Sequence, residues 1–134
     1  MKPELLMAEA EKARKASYSP FSKFAVGAAL LTRSGRVVHG CNVENSSFGL
    51  SCCAERTAVF KAVSEGERDF VAIAVTAGKG EGSAPCGACR QVLHEFAPEI
   101  WVCFRDDSAK LVRKRLSALL THGFRFRTSR RGVK

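Results

Sequence analysis

The stretch Phe70-Val71-Ala72-Ile73-Ala74-Val75-Thr76 precedes a loop with three glycines, residues 78–84, and then Pro85-Cys86-Gly87-Ala88-Cys89-Arg90-Gln91. The first stretch is an apolar run rich in β-branched residues, which predicts a buried strand. Proline just ahead of a first helical turn is typical of a helix start, so we expect a helix over residues 85–96. Residues 100–104 predict the next strand. This alternation of strand and helix is typical of α/β domains.

The segments around this stretch complete the predicted sheet. Residues 24–32 are apolar and β-rich, Arg33-Ser34-Gly35 predicts a turn, and residues 36–43 alternate as an antiparallel partner would. We therefore expect an α/β fold, with a mixed five-stranded sheet sandwiched between helices. The other predicted elements are a first helix after Pro3, an irregular loop over residues 45–51, a helix over residues 53–64, a short strand over residues 109–112 and a helical turn over residues 116–120.

The whole chain has the size and composition of one globular domain. It has 134 residues, which is enough to bury a core, so we treat residues 1–134 as a single domain. No apolar run approaches the roughly 18 residues that span a bilayer. Glu4, Glu9 and Glu11 argue against a signal or transit peptide at the start. We expect a soluble, cytoplasmic protein.

The net charge of +9 is large for this length. Nucleic acid or an anionic surface is one explanation. Arg113-Lys114-Arg115 forms one basic cluster, and residues 125–134 form a second that we expect to be a flexible C-terminal tail. The pattern favours a solvated helix face for the first cluster, so charge alone does not predict a nucleic-acid-binding protein.

Three of the six cysteines follow a metal-binding pattern. In a reducing compartment, clustered cysteines are metal ligands or catalytic groups more often than disulfides. Cys86 and Cys89 form a CxxC at a helix start, where the free N–H groups favour thiolate, and Cys53 stands at a second predicted helix start. Three ligands leave one tetrahedral position open, which is the catalytic arrangement for zinc. Cys41, Cys52 and Cys103 lie outside this pattern, and we expect them to pack as small apolar side chains.

Glu55 lies two residues after Cys53, close enough to act on a zinc-activated water without being a ligand. Three thiolates would leave the zinc site with a net negative charge, which weakens its acidity. We expect Arg56, and also Arg90, to hydrogen-bond the sulfurs and withdraw charge. A ligand-x-Glu motif followed by Pro-Cys-x-x-Cys is the signature of zinc deaminases.

The sequence resembles the small, homotetrameric cytidine deaminases over residues 17–124. The resemblance is based on residues 24–30, Gly40-Cys41-Asn42-Val43-Glu44-Asn45, and the two motifs that contain the cysteines. It implies one zinc ion per chain and hydrolytic deamination of cytidine and deoxycytidine in pyrimidine salvage. The substrate contacts that it implies are Asn42 and Glu44 with the ribose hydroxyls, Phe24 with the sugar or base, the Ala54 backbone with the base carbonyl, and Ser83 near the amino group.

The resemblance also implies that each site is completed by a neighbouring subunit. An aromatic residue after Asn45 and a phenylalanine near the C-terminus contribute to the family's site. Phe48 stands where a tyrosine is usual, so it can stack but cannot offer a hydroxyl. Phe124 stays in register although the family's nearby proline is absent, and it is the predicted residue that stacks on the base.

Other functions remain open from the residues alone. A deaminase acting on cytosine in RNA or single-stranded DNA fits the +9 charge, whereas Glu44 would repel a phosphate backbone. A deaminase of a cytosine-bearing nucleoside antibiotic would share the zinc chemistry. A structural zinc module predicts a fourth protein ligand, and a thiol redox protein predicts no zinc.

Overall fold

The computed structural model describes residues 1–126, in which four α-helices flank one five-stranded sheet. The elements are α1 (Pro3–Arg14), β1 (Gly27–Thr32), β2 (Val37–Cys41), α2 (Ala54–Ser64), β3 (Phe70–Thr76), α3 (Gly87–Phe96), β4 (Trp101–Arg105), β5 (Leu111–Arg115) and α4 (Leu116–Leu119). A short 3-10 turn, Phe48–Leu50, lies within the predicted irregular loop.

The sheet is mixed, with strand order β2-β1-β3-β4-β5. Strand β1 pairs antiparallel with β2 and β3, β3 pairs parallel with β4, and β4 pairs antiparallel with β5. The carboxyl ends of β3 and β4 therefore lie at the same edge of the sheet. The loop that leaves β3 at this edge leads directly to Cys86, the residue that begins α3.

The helices form two layers, one on each face of the sheet. Leu6 and Ala10 of α1 pack against Ala29 and Ala74 on one face. On the other face, α2, α3 and α4 contribute to a larger core whose buried members include Ala54, Ala58, Leu93 and Leu116. The predicted sandwich is confirmed, and α2 and α3 begin on the same side of the sheet.

Two glycines let the helices approach the sheet closely. A Cβ on Gly40 would lie 2.4 Å from the carbonyl oxygen of Ala54, in the first turn of α2. A Cβ on Gly27 would lie 2.1 Å from the carbonyl oxygen of Ala10 in α1. Both distances are far below van der Waals contact, so only glycine fits at these two crossings.

The prediction that Arg113-Lys114-Arg115 lies on a helix face is wrong, because all three residues belong to β5. The predicted strand over residues 109–112 was placed too early. Ala109 has a positive φ of 61° and closes a turn on Asp106, so β5 begins only at Leu111. No helix within residues 1–126 is long and apolar enough to cross a membrane. The predicted basic tail lies outside the described residues from position 127 onward.

Candidate active site

The helix starts of α2 and α3 bring three cysteine sulfurs together. Cys53 caps α2, Cys86 caps α3, and Cys89 lies in the first turn of α3. The Sγ atom of Cys86 lies 3.9 Å from that of Cys53 and 3.5 Å from that of Cys89. Four sulfurs at the corners of a zinc tetrahedron, with bonds of about 2.3 Å, would be about 3.8 Å apart. The three sulfurs therefore fit a zinc ion, and among residues 1–126 they are the group placed to hold a metal.

The surroundings of Cys53 favour its thiolate form. A hydrogen bond with Cys89, together with the Arg56 guanidinium, lowers the pKa of Cys53 from 9.0 to about 5. The Nη2 atom of Arg56 lies 3.2 Å from the sulfur of Cys53. The hydrogen bond with Cys53 and burial raise the pKa of Cys89, so the pair shares its proton unequally. A thiolate is thus stabilised where a metal ligand is required.

Glu55 is a buried carboxyl directly beside the sulfurs. Its side chain lies in the first turn of α2, and the residue is only 4 % exposed. Burial, followed by the negative charge of Cys53, raises the pKa of Glu55 to about 7. A carboxyl with a pKa near neutrality can both accept and donate a proton at physiological pH.

A cleft of about 300 Å³ lies next to the segment that leads into Cys53. It is lined by Phe21, Ser22, Glu44, Phe48 and Ser51. The rings of Phe21 and Phe48 meet edge to face, with their centroids 5.7 Å apart. The volume is at the lower end of the range for small-molecule sites. Two aromatic rings and one carboxylate suit a small ligand that has both an apolar face and hydroxyl groups.

Glu44 and Asn42 each hold one loop in place. The Oε1 atom of Glu44 accepts hydrogen bonds from the backbone N–H groups of Phe21 (3.0 Å) and Ser22 (3.1 Å), and its Oε2 atom accepts one from the Ser22 hydroxyl. These bonds hold the pKa of the Glu44 carboxyl below its usual value. The side chain of Asn42 accepts from the Val26 N–H and the Ser17 hydroxyl and donates to the Phe24 carbonyl. Glu44 therefore shapes the cleft, whereas Asn42 fixes the segment that leads into β1.

The remaining predicted residues have distinct environments. Ala54 is fully buried, and Phe24 is 43 % exposed. Ser83 is buried, and its hydroxyl donates to the carbonyl of Val75 and accepts from the N–H of Arg105. Ser83 therefore ties the glycine loop to the ends of β3 and β4.

The structure differs from the prediction for Arg90. Its guanidinium does not bond a sulfur but donates to the carbonyl oxygens of Pro85 and Leu119, at 2.8 Å each. The Arg90 side chain therefore links the segment just before α3 to the end of α4. Gln91 makes a parallel contact, 2.7 Å from its Nε2 atom to the carbonyl oxygen of Phe124. The Phe124 ring itself is 65 % exposed.

Sequence reasoning missed Phe21, Ser22 and Gln91. Phe21 and Ser22 contact Glu44 across more than twenty residues of chain, and no local pattern indicates that pairing. The available signal was Tyr18-Ser19-Pro20, which ends a helix and leaves the next residues in a loop. Gln91 belongs to the motif that contains Cys86, but its partner, Phe124, lies 33 residues away.

A three-layered α/β/α sandwich that gathers three thiols and a buried carboxyl at two helix starts defines a class, the hydrolytic zinc enzymes with three protein ligands. The chain belongs to the cytidine and deoxycytidylate deaminase family, since residues 1–105 match the description "Cytidine and deoxycytidylate deaminase zinc-binding region".

Individual relatives agree with the family match. The chain is 57% identical over 96 residues to a cytidine deaminase of Sporosarcina psychrophila, covering 72% of this chain and 71% of the relative. It is 56% identical over 98 residues to one from Halalkalibacterium halodurans, covering 73% and 74%. Its fold matches the crystal structure of a Burkholderia pseudomallei cytidine deaminase with a TM-score of 0.86 and 45% identity, over 92% of this chain and 100% of that chain.

Proposed function

We propose that this chain is a zinc-dependent cytidine deaminase that converts cytidine and deoxycytidine to uridine and deoxyuridine, with release of ammonia. The observation that supports this most directly is the buried Glu55 carboxyl beside the Cys53, Cys86 and Cys89 sulfurs. A cleft of about 300 Å³ lies at the loop that leads into Cys53. Such a reaction serves pyrimidine salvage.

The cysteines and Glu55 divide the chemistry between them. Cys53, Cys86 and Cys89 hold zinc, which supplies a Lewis acid and makes water ionise near neutral pH. Glu55 accepts one proton from the attacking water and delivers it to ring N3 as the water oxygen bonds to C4 of the base. Glu55, now a carboxylate again, takes the remaining proton from the new C4 hydroxyl and passes it to the amino group, so that the C4–N bond breaks, the C4 carbonyl forms and ammonia leaves. Burial raises the pKa of the Glu55 carboxyl to about 7, so the carboxyl can carry out both proton transfers near neutral pH.

Arg56 reduces the negative charge on the sulfurs. Its guanidinium is 3.2 Å from the Cys53 sulfur, so it withdraws negative charge from that thiolate. Three thiolates without such a donor would donate more charge to zinc and reduce its acidity. Arg90 acts differently, because it ties the start of α3 to the C-terminal segment.

The cleft recognises a nucleoside rather than a phosphorylated substrate. The Glu44 carboxylate retains acceptor capacity for ribose hydroxyls beyond its bonds to Phe21 and Ser22. A carboxylate in that place repels a substrate phosphate. Phe24 packs on the sugar or base, Asn42 supports the ribose contact, the Ala54 backbone meets the base carbonyl, and Ser83 orients the loop on the amino side.

The site is completed in a homotetramer. Within residues 1–126, Phe48 is 72 % exposed and Phe124 is 65 % exposed, so both aromatic side chains are mostly accessible. Exposed apolar surface of this kind is typical of an interface. Phe48 lines the cleft of its own chain and presents its exposed side to a neighbouring subunit. Phe124 from a neighbouring subunit stacks on the base. Size-exclusion chromatography with light scattering tests the tetramer, and a monomer with full activity would contradict it.

The function is tested by following ammonia release from cytidine, deoxycytidine, CMP, free cytosine, a cytosine-bearing nucleoside antibiotic and a cytosine-containing oligonucleotide. We expect turnover of the first two. Glu55→Gln should retain zinc and lower kcat at least about 10²- to 10⁴-fold. Glu81→Gln is the matched control, because it makes the same chemical change at an exposed position of the glycine loop. No turnover of either nucleoside, or turnover of the oligonucleotide or antibiotic instead, would contradict the assignment.

A further inference from the structure

The face of the sheet that α1 covers is open over β4 and β5, and it carries arginines. Successive residues of a strand point to opposite faces, so Trp101, Cys103 and Arg105 share one face. Cys103 packs with α1, which identifies that face. Arg115 pairs with Trp101 and Arg113 with Cys103 across the β4–β5 ladder, so both arginines join the same face. We call Arg105, Arg113, Arg115 and Trp101 the basic face.

Trp101 orders two of these guanidinium groups. The central carbons of Arg113 and Arg115 each lie 3.9 Å from the centroid of the Trp101 ring. A guanidinium that stacks through its flat side keeps its N–H donors directed outward at its edge. Arg115 uses one of them on the carbonyl oxygen of Glu99. Within residues 1–126 neither arginine forms an ion pair, although both are exposed.

Two cavities extend the basic face along α1. One, of about 190 Å³, lies between the start of α1 and Trp101, and Arg113 lines it. The other, of about 430 Å³, is lined by Lys15, Lys79 and Arg105, among others. The buried Nε atom of Arg105 has no hydrogen-bond acceptor in the described part of the chain. Acidic residues are also present in the lining of the larger cavity, namely Glu4 and Glu11, and Glu11 already pairs with Arg14 at 3.2 Å.

We propose that the basic face binds single-stranded nucleic acid through its phosphates. Arg105 lines one cavity with Lys15 and Lys79, and it shares a sheet face with Arg113 and Arg115 of β5. The cations thus extend from that cavity to β5, and a polyanion can contact more of them than a single small anion can. Guanidinium edges bind phosphate in a bidentate manner. The zinc-binding cysteines lie across the sheet, on the side of α2 and α3, so this binding is separate from deamination and does not depend on it.

The basic face contains its own spectroscopic reporter, because Trp101 is the only tryptophan of the sequence. Oligo(U) of about 20 nucleotides is the probe, since it contains no cytosine and exceeds a typical site of about 4–16 nucleotides. We expect it to change the Trp101 emission and to bind with a steep salt dependence. Each phosphate that the protein no longer neutralises should lower the slope of log affinity against log salt by about 0.7.

Arg113→Gln/Arg115→Gln removes two phosphate-binding cations. This variant should lower the slope by about 1.4 and the affinity at about 50 mM salt roughly 50-fold, with cytidine deamination unchanged. Its emission spectrum changes with the substitution, so affinity is measured by anisotropy of labelled oligo(U). Arg33→Gln/Arg36→Gln removes the same charge from the β1–β2 turn and is the matched control. It should lower the affinity by less than threefold.

Three results would overturn the proposal. The first is equal loss of affinity in the two double variants, which would indicate an effect of net charge only. The second is unchanged binding in Arg113→Gln/Arg115→Gln together with loss in Arg127→Gln/Arg130→Gln/Arg131→Gln, which would place binding on the C-terminal residues. The third is tighter binding of an acidic polypeptide such as polyglutamate than of oligo(U).

Discussion

Replacing Gly40 with alanine tests whether the packing of α2 on the sheet sets the zinc site. The new Cβ would lie 2.4 Å from the carbonyl oxygen of Ala54 and 2.5 Å from the amide nitrogen of Ala58. Ordinary contact begins at 3.4 Å, so the first turn of α2 must retreat by about 1 Å. That turn carries Glu55 and follows directly on Cys53. A displacement of about 1 Å in a reacting group can cost about 100-fold in rate.

Gly27→Ala provides the matched control. Its Cβ would meet the carbonyl oxygen of Ala10 at 2.1 Å and the amide nitrogen of Arg14 at 2.4 Å, so it displaces α1 on the opposite face. A new Cβ that presses on backbone atoms should lower the free energy of unfolding by about 3 kcal/mol or more, the upper end of the usual cost of overpacking. Both variants should therefore lose about 10 °C in Tm. The assays are calorimetry, zinc content, and kcat/KM at a temperature where both proteins are folded.

We expect Gly40→Ala to lose about 100-fold in kcat/KM, whereas Gly27→Ala should stay within about threefold of the unaltered protein. The reasoning is refuted if Gly40→Ala keeps its activity while folded. It is equally refuted if Gly27→Ala loses as much activity, because the loss would then follow global stability rather than the position of α2.

Three further predictions concern single side chains. Arg56→Gln should keep one zinc per chain but lower kcat about 10- to 150-fold, because a hydrogen bond to a charged sulfur contributes about 1.5–3 kcal/mol. Arg56→Lys should recover part of the lost kcat. Unchanged turnover in Arg56→Gln would contradict the role of Arg56. Gln91→Leu should raise KM about 3- to 10-fold with little change in kcat, because it releases the Phe124 carbonyl. In a Phe124→Ala background the same substitution should have no further effect on KM, and a full additional loss there would argue against this positioning role. The Cys103 thiol should be alkylated about 100-fold more slowly near pH 8 in the folded protein than in guanidinium, because burial raises its pKa from 9.0 to about 11. The rates are measured by mass spectrometry, and equal rates in the two conditions would contradict this prediction.

The parts of the fold that local pattern determines were predicted well. The β-branched run gave β3 its observed bounds, Phe70–Thr76, because a buried central strand is apolar on both faces. The predicted strand over residues 24–32 begins only at Gly27. The reason is a long-range contact, since the Asn42 side chain bonds the Val26 N–H and the Phe24 carbonyl in place of a neighbouring strand. A side chain sixteen residues away cannot be assigned to that role from local pattern.

The same division applies to the site. Cys53, Cys86 and Cys89 could be predicted because each lies at a helix start, where spacing alone directs the sulfur. Arg56 could be predicted because it lies one helical turn from Cys53. The contacts of Arg90 could not be predicted, since its acceptor Leu119 is the last residue of α4 and lies two strands further along the chain. Side chains that act within one turn are thus encoded locally, whereas those that join separate segments depend on the finished fold.

The helix starts explain why one fold can place metal ligands and a proton carrier together. Cys53 stands at the N-cap of α2, where the partial positive charge of the helix N-terminus favours a thiolate. Glu55, the proposed proton carrier, needs a buried position instead. As the second residue of α2 it lies beside Cys53, where burial and the negative charge of Cys53 raise its pKa to about 7. Because Gly40 lets α2 lie against β2 at this very turn, the burial of Glu55 and the position of Cys53 depend on the same contact. Separating α2 from the sheet would therefore change the acidity of the proton carrier and the position of a metal ligand together.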